Sequence, residues 1–292
     1  VLDTSSRLAY PALFGAADEA SNKAQAALLL SYKINLALLV LAALASLFTA
    51  SNGLAIASAV LFLASLAAHL YSEFQGLQRR WYQARALAES VKTTTWRFKM
   101  HADPFTGAST DTDLFRERLR ELLAQNEGIA GDLDATWANK EQITPSMIEV
   151  RFASFEDRRE LYRASRIVEQ RSWYARKAQE NKRSSRDFVI GICCIYGLAI
   201  FLVLIKVSSP ERTWLPIEPL AVLAGGLIGW KQLRRFNELS SAYNLTAHEV
   251  GIIESRFVSV RDAAALSRFV SDAENAFSRE HTQWAARRDH IR

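Results

Sequence analysis

The 292-residue chain is 49% apolar with a mean hydropathy of −0.04, values of an ordinary soluble protein. Yet the 39 positions from Ile34 to Ser72 contain no Asp, Glu, Lys or Arg. A bilayer crossing needs about 20 mostly apolar residues, so this zone holds two crossings and a wholly soluble globular protein is excluded. The net charge of +5 and pI near 9.3 suit basic residues facing anionic lipid, and no nucleic-acid partner is expected.

In chain order, the first apolar run begins near Ala26, after Asp18, Glu19 and Lys23. That flank is unlike a cleavable signal peptide, so the N-terminus is expected to stay in the cytosol. Crossings are predicted at 34–48 and 54–71, joined by a turn at Thr49-Ala50-Ser51-Asn52-Gly53 on the strength of its Asn-Gly pair. The segment 106–154, with Pro104 and Gly107 at its start and Gly128, Gly131 and Pro145 within, reads as a cytosolic connection with one amphipathic helix at about 113–126.

Ser154-Phe155-Glu156-Asp157 has capping-box spacing, and neither Pro nor Gly follows until Gly191. One helix is therefore predicted from Phe155 into the third crossing, with Leu161, Ile167, Val168 and Tyr174 as its apolar stripe. The third crossing is placed at 188–205 and the fourth at 214–230, where Trp214 and Trp230 lie about 24 Å apart along a helix. From about Asp262 a last helix carries Leu266, Phe269, Val270, Ala273, Phe277 and Trp284 on one face.

The fold class expected is an all-α integral membrane protein: two tandem transmembrane hairpins with long cytosolic helical extensions. The first unit is residues 1–105, the connection 106–154 and the second unit 155–292. Cations flank the open sides of both hairpins, Lys33, Arg79, Arg80 and Arg85 on the first and Lys182, Arg183, Lys231, Arg234 and Arg235 on the second. The positive-inside bias therefore places both termini and the connection in the cytosol. An offset of 154 superposes Lys23-Ala24-Gln25 on Lys177-Ala178-Gln179, and one of 155 matches Arg79-Arg80-Trp81 with Arg234-Arg235-Phe236. These matches bracket the hairpins in the same order, as a tandem duplication does, and give a parallel rather than inverted repeat.

No reaction centre emerges. Cys193 and Cys194 are adjacent in an apolar run, which gives neither a disulfide framework nor spaced thiolates for a metal. His69, His101, His248, His281 and His290 are scattered, and His248-Glu249 lacks the second histidine of a zincin helix. No enzymatic activity, cofactor or metal is expected. Glu218, between Pro216 and Pro219, is the one acidic residue within a crossing. It is a candidate pore residue or an interfacial carboxylate. Gly225, Gly226 and Gly229 either pack helices closely or form a gate. Arg79, Arg80, Lys231, Arg234 and Arg235 are candidates for contact with an anionic ligand or lipid.

The run Tyr162-x3-Arg166-Ile167-x2-Gln170-x2-Trp173-Tyr174-x2-Lys177-Ala178 and the run Ser278-Arg279-Glu280-His281-Thr282-Gln283-Trp284 resemble the second unit of tandem SLATT proteins. These are the SMODS and SLOG-associating two-transmembrane effectors of bacteria. Arg85-Ala86-Leu87-Ala88-Glu89-Ser90-Val91-Lys92, then Thr95-Trp96-Arg97-Phe98 and Asp103-Pro104-Phe105, resemble the close of the first unit. The resemblance implies an inner-membrane effector of an anti-phage or conflict system that forms a pore or disrupts the membrane, and the apolar faces of 155–186 and 262–288, which need burial, predict a homo-oligomer. It further implies a nucleotide second messenger, or a nucleotide-producing or nucleotide-sensing protein, as partner. The alternative is a non-conducting membrane scaffold or sensor whose cytosolic helices recruit partners.

Overall fold

The computed structural model describes residues 9–48, 52–107 and 109–289, with side chains through Phe277. The described residues form helices and the turns that join them, with no strand: α1 Ala12–Ser46, α2 Asn52–Gln75, α3 Leu77–Lys99, α4 Asp111–Gln125, α5 Pro145–Phe152 and α6 Phe155–Tyr162. A π-helical segment, Arg163–Val168, leads into α7 Glu169–Ser208, followed by α8 Ile217–Arg234, α9 Phe236–Arg256 and α10 Ala263–Asp289. The chain is thus an all-α protein with long apolar helices.

Local chemistry explains the boundaries. Ser154 Oγ accepts from the Asp157 amide at 3.1 Å, the cap the sequence predicts, and the helix it opens continues through the π-helical segment to Ser208. Asp262 caps α10 by accepting from the Ala265 amide at 2.7 Å. Of the turn expected between the first two crossings, Thr49, Ala50 and Ser51 lie outside the described residues. Asn52 and Gly53 open α2 instead of turning, and an Asn at a helix start is as favourable as one in a turn.

Two compact units are formed from interleaved segments. The first comprises the described parts of Val1–Gln25, Gln78–Ala175 and Asn244–Arg292; the second comprises those of Ala26–Leu77 and Arg176–Tyr243. In the first unit, Leu13, Ala17, Leu87, Val91, Phe98 and Phe105 form a core with Phe115, Leu119, Ile129 and Met147. The segment 106–154 thereby contributes large side chains to a packed interior. Arg151, buried, pairs with Asp111 and donates to the Phe98 carbonyl, and its guanidinium lies 4.4 Å from the Phe98 ring centre.

The second unit has the opposite polarity. Leu30, Ile34, Leu41, Ile56, Leu63 and Leu66 are exposed, as are Ile200, Phe201, Leu204 and Val207. Small and polar residues share its interior with a few large apolar ones: Ala42, Ala43, Ser58, Ser65 and Ala224 are buried, as are Leu28, Ile192, Leu215 and Phe236. Ser58 Oγ donates to the Ala42 carbonyl at 3.0 Å, and Ser65 bonds Asn35. Small residues that let backbones approach, with large apolar ones outward, are the arrangement lipid favours. Three described helical stretches are long and apolar enough to cross a membrane: α1 Ala12–Ser46, Asn52–Lys99 (α2 with α3) and Phe155–Ser208 (α6 through α7). The remaining hairpin arm, α8, has 18 residues and carries Glu218 in its first turn with Lys231 and Arg234 in its last.

One close packing in the first unit is directly testable. A Cβ at Gly15 of α1 would overlap the Trp137 ring, which is held by its Nε1 donating to Glu19 at 2.8 Å and by Lys140 at 3.6 Å from the ring centre. Gly15→Val is expected to destabilise the chain by about 1–3 kcal/mol through overpacking. Fluorescence-monitored thermal denaturation in detergent checks this, and a midpoint equal to wild type contradicts the packing.

Candidate functional site

The least ordinary feature of the first unit is a set of charges buried among aromatic rings. Arg166 and Glu274 are 2% and 0% exposed. Arg166 Nε and Nη2 donate to Glu274 Oε1 and Oε2 at 2.8 and 2.7 Å, a bidentate pair. Tyr162 Oη adds a donor to Oε1 at 2.9 Å. The guanidinium also lies 4.5 Å from the Phe277 ring centre, a favourable site for a cation. Trp96 of α3 meets Tyr162 edge-on at 5.5 Å and gives its indole N–H to Tyr10 Oη at 3.1 Å.

This geometry follows from the local sequence. Tyr162 immediately precedes the π-helical segment and Arg166 lies within it, where wider winding changes which residues share a face, and both side chains reach one carboxylate. Glu274 lies on the α10 face that also carries Val270, Ala273 and Phe277, all buried. An acid within an apolar stripe was the available signal for this site, since a buried carboxylate needs a partner. Sequence reasoning placed Tyr162 and Arg166 in a motif but did not identify Glu274 as their partner.

The electrostatics follow from burial. Desolvation pulls the Arg166 proton affinity down, but the charge and hydrogen bonds of Glu274 more than reverse this, so the net shift is upward. Burial first and the Glu274 charge second push the Tyr162 phenol well above its ordinary value. Burial raises Tyr10 to about 12. Lys99, fully buried, donates to the Ala9 carbonyl at 2.7 Å and lies 5.1 and 5.4 Å from the ring centres of Tyr10 and Trp96. Desolvation lowers it to about 7. Nearby, Glu89 pairs with Arg85 at 2.5 Å and Lys92 at 3.8 Å, and Arg85 also reaches Asp18 at 3.1 Å. Every polar atom of the Tyr162–Glu274 hydrogen bond and the bidentate pair faces a partner inside the protein, an arrangement that fixes α10 to the π-helical segment.

The chain matches SMODS and SLOG-associating 2TM effector domain 3 over residues 11–159 and SMODS and SLOG-associating 2TM effector domain 1 over residues 162–284. It belongs to the SLATT family. No curated protein and no solved structure matches it. The two SLATT domains stand in tandem, and the chain is a membrane-associated effector of conflict and defence systems. The edge-on contact of Trp96 with Tyr162 joins one SLATT domain to the other within the first unit. Of the motif residues of the second SLATT domain, Ser278 to Trp284 lie beyond the described side chains.

The residues singled out in the sequence fall into separate places. In the second unit, a Cβ on Gly226 would overlap Leu36, and one on Gly229 would overlap the Tyr32 hydroxyl. Tyr32 Oη donates to the Gly226 carbonyl at 2.8 Å, its ring lies 5.6 Å from Trp230, and Lys33 Nζ lies 5.6 Å from the Trp230 ring centre. These two glycines thus seat α8 against α1. Gly225 faces open space, and Glu218 is exposed in the first turn of α8. Lys231 is half-buried, Arg234 lies 5.5 Å from the Phe236 ring centre, and Arg235 pairs with Glu238. In the first unit, Arg79 is exposed and Arg80 pairs with Asp132 at 3.1 Å. Arg80 and Arg235 therefore each have an acid partner already, and the five cations are divided between the units.

Glu274→Ala is expected to destabilise the fold by about 3–5 kcal/mol, because it leaves Arg166 buried and unpaired. The double replacement Arg166→Met with Glu274→Leu is expected to recover most of that loss, as read by thermal denaturation; equal loss in both would show that the pair itself is not what matters. Lys99 has a folded value below its unfolded value, so the unfolded chain binds more protons between them. Stability from this group therefore rises with pH from about 7 towards its ordinary value and is lowest below 7. Lys99→Met is expected to flatten that slope. A denaturation midpoint with the same pH dependence in both proteins would refute this assignment.

Proposed function

We propose that the chain is a homo-oligomeric effector of the bacterial inner membrane that permeabilises the bilayer when a nucleotide signal, or a partner that makes or senses one, reaches its cytosolic helices. The observation that carries this reading is the continuity of one helix. Phe155–Ser208 bears the buried Arg166–Glu274 pair near one end and the uncharged run Phe188–Ile205 near the other. A change in how α10 grips Arg166 alters the constraint on a segment that continues directly into the membrane-spanning run. The chemistry is conformational and not enzymatic in this reading, because the buried polar groups are engaged in holding helices together. Both termini and residues 106–154 face the cytosol, following the cation asymmetry.

Oligomerisation follows from the shortness of the crossing set. Four apolar helices enclose an aqueous path poorly without placing polar or irregular backbone against lipid, and several copies remove that difficulty. Glycines at the α8–α1 contact set how tightly each hairpin packs, so Gly226→Leu separates the helices.

Purified chain in liposomes is expected to release an entrapped dye or dissipate an imposed ion gradient upon activation, and in a bacterial host to depolarise the inner membrane and arrest growth. Gly226→Leu is expected to reduce the flux at least severalfold, whereas His248→Ala leaves it unchanged. Absence of flux from correctly inserted oligomers under every activating nucleotide tried would reject permeabilisation in favour of the scaffold reading. Topology is checked independently in a variant lacking Cys193 and Cys194: a cysteine at position 209 should label from outside intact cells and one at position 132 should not.

A further inference from the structure

The first unit contains a cleft of about 320 Å³ whose wall the buried charge cluster does not use. Ser90, Thr93 and Thr94 of α3 line one side, Pro104, Phe105 and Leu122 supply apolar surface, and two guanidiniums, Arg97 and Arg118, face it with Asn275 of α10. Its volume is at the small end of the range for ligand clefts, which limits the occupant to about one ring system with a short polar extension.

Arg97 is the decisive group. It donates to Asn275 Oδ1 at 2.7 Å and to the Asp103 carbonyl at 3.4 Å, both neutral acceptors. Its Nε is buried with no hydrogen-bond partner, and among the described residues no carboxylate forms an ion pair with it. A guanidinium carries five donors in a planar fork suited to an oxyanion, so this one retains both charge and donor capacity. Arg118 pairs with Glu121, which also lines the cleft, but that pair is a surface contact three residues apart on α4 with side chains 52% and 43% exposed. Such a pair is weak, and an incoming dianion competes with it.

We infer that this cleft binds a soluble phosphorylated small molecule of mononucleotide size, with the phosphate on Arg97 and Arg118, the hydroxyls of Thr93 and Ser90 on its polar extension, and its ring against Pro104 and Leu122. The inference rests on the signal-responsive reading above and gives it a location. Asn275 is adjacent to Glu274 on α10. A phosphate that takes Arg97 from Asn275 therefore removes a link between α3 and α10 one residue from the carboxylate that holds Arg166.

The test is isothermal titration calorimetry of the full chain in a detergent free of phospholipid, with adenosine 5′-monophosphate, adenosine and inorganic phosphate as probes. The monophosphate is expected to bind saturably, and adenosine at least tenfold more weakly. Arg97→Gln should weaken the monophosphate at least tenfold, and Arg118→Gln severalfold. Arg118 is exposed, so its variant decides the matter if Arg97→Gln does not fold. Binding of the monophosphate unchanged in the folded variants, adenosine binding as tightly as the monophosphate, or no saturable binding of any probe at millimolar concentration overturns the inference. Displacement of the monophosphate by an equal concentration of a short-chain phosphatidylglycerol overturns it too, by assigning the cleft to a lipid headgroup. Calorimetry reads binding without flux, so a chain that binds but does not permeabilise liposomes fails only the membrane proposal, and one that permeabilises without binding fails only this one.

Discussion

A bidentate ion pair with both partners removed from solvent constrains everything around it. Arg166 and Glu274 each lose hydration on folding, and the attraction between them offsets that loss only if the geometry is kept and the remaining donors and acceptors are filled. Tyr162 fills one, the Phe277 ring shields the guanidinium, and Trp96 packs on Tyr162. The requirement therefore spreads outward from two residues to α3, α10 and the π-helical segment, all of which must hold their positions for the charges to stay paired. Apolar packing tolerates a helix sliding by a fraction of an ångström far better than such a pair does. A buried salt bridge in this setting defines which arrangement of helices is allowed more than it adds to stability.

The second unit obeys a different solvent. Its contacts rely on small residues: Ser58 bonds the Ala42 carbonyl in one place, and Gly226 and Gly229 leave room for Leu36 and Tyr32 in another. Between lipid tails there is no hydrophobic gain from hiding leucine, so Leu63, Ile200 and Leu204 stay outward and close packing with hydroxyl-to-carbonyl bonds provides the cohesion. The same chain thus turns far more of its large apolar side chains outward in the second unit than in the first.

Much of this was legible in the sequence because the two solvents leave different marks. The uncharged stretch from Ile34 to Ser72 and the run Phe188–Ile205 announce the membrane, and Ser154 with Asp157 announces the start of the long helix that reaches it. The α10 stripe of Leu266, Val270, Ala273 and Phe277 is buried as its spacing requires. Glu274 was passed over because an acid within an apolar stripe gives no sign of its partner, and Arg166 lies 108 positions away in the chain. The segment 106–154 read as a connection because its prolines and glycines mark breaks, whereas Phe115, Ile129 and Met147 show that short helices between breaks still bury large side chains. Gly226 and Gly229 stand out in the fourth apolar run, but their partners Leu36 and Tyr32, which occupy the space they leave, lie about 190 positions earlier and carry no sequence mark.

The two SLATT domains also differ at the residue that follows each hairpin's second helix. Gly76 separates α2 from α3 with φ of 57°, and Arg235 separates α8 from α9 with φ of 49°. Glycine adopts this left-handed conformation freely, whereas a residue with a Cβ is disfavoured there by about 1–2 kcal/mol. A right-handed helical φ at Gly76 would instead put a glycine inside a helix, at a penalty of about 1 kcal/mol relative to alanine. A right-handed helical φ at Arg235 would relieve strain, whereas at Gly76 it would introduce an unfavourable helix residue. The two SLATT domains are therefore unequal in stored backbone energy: Gly76 holds its conformation without a steric penalty, whereas Arg235 holds a similar one against the preference of its own Cβ.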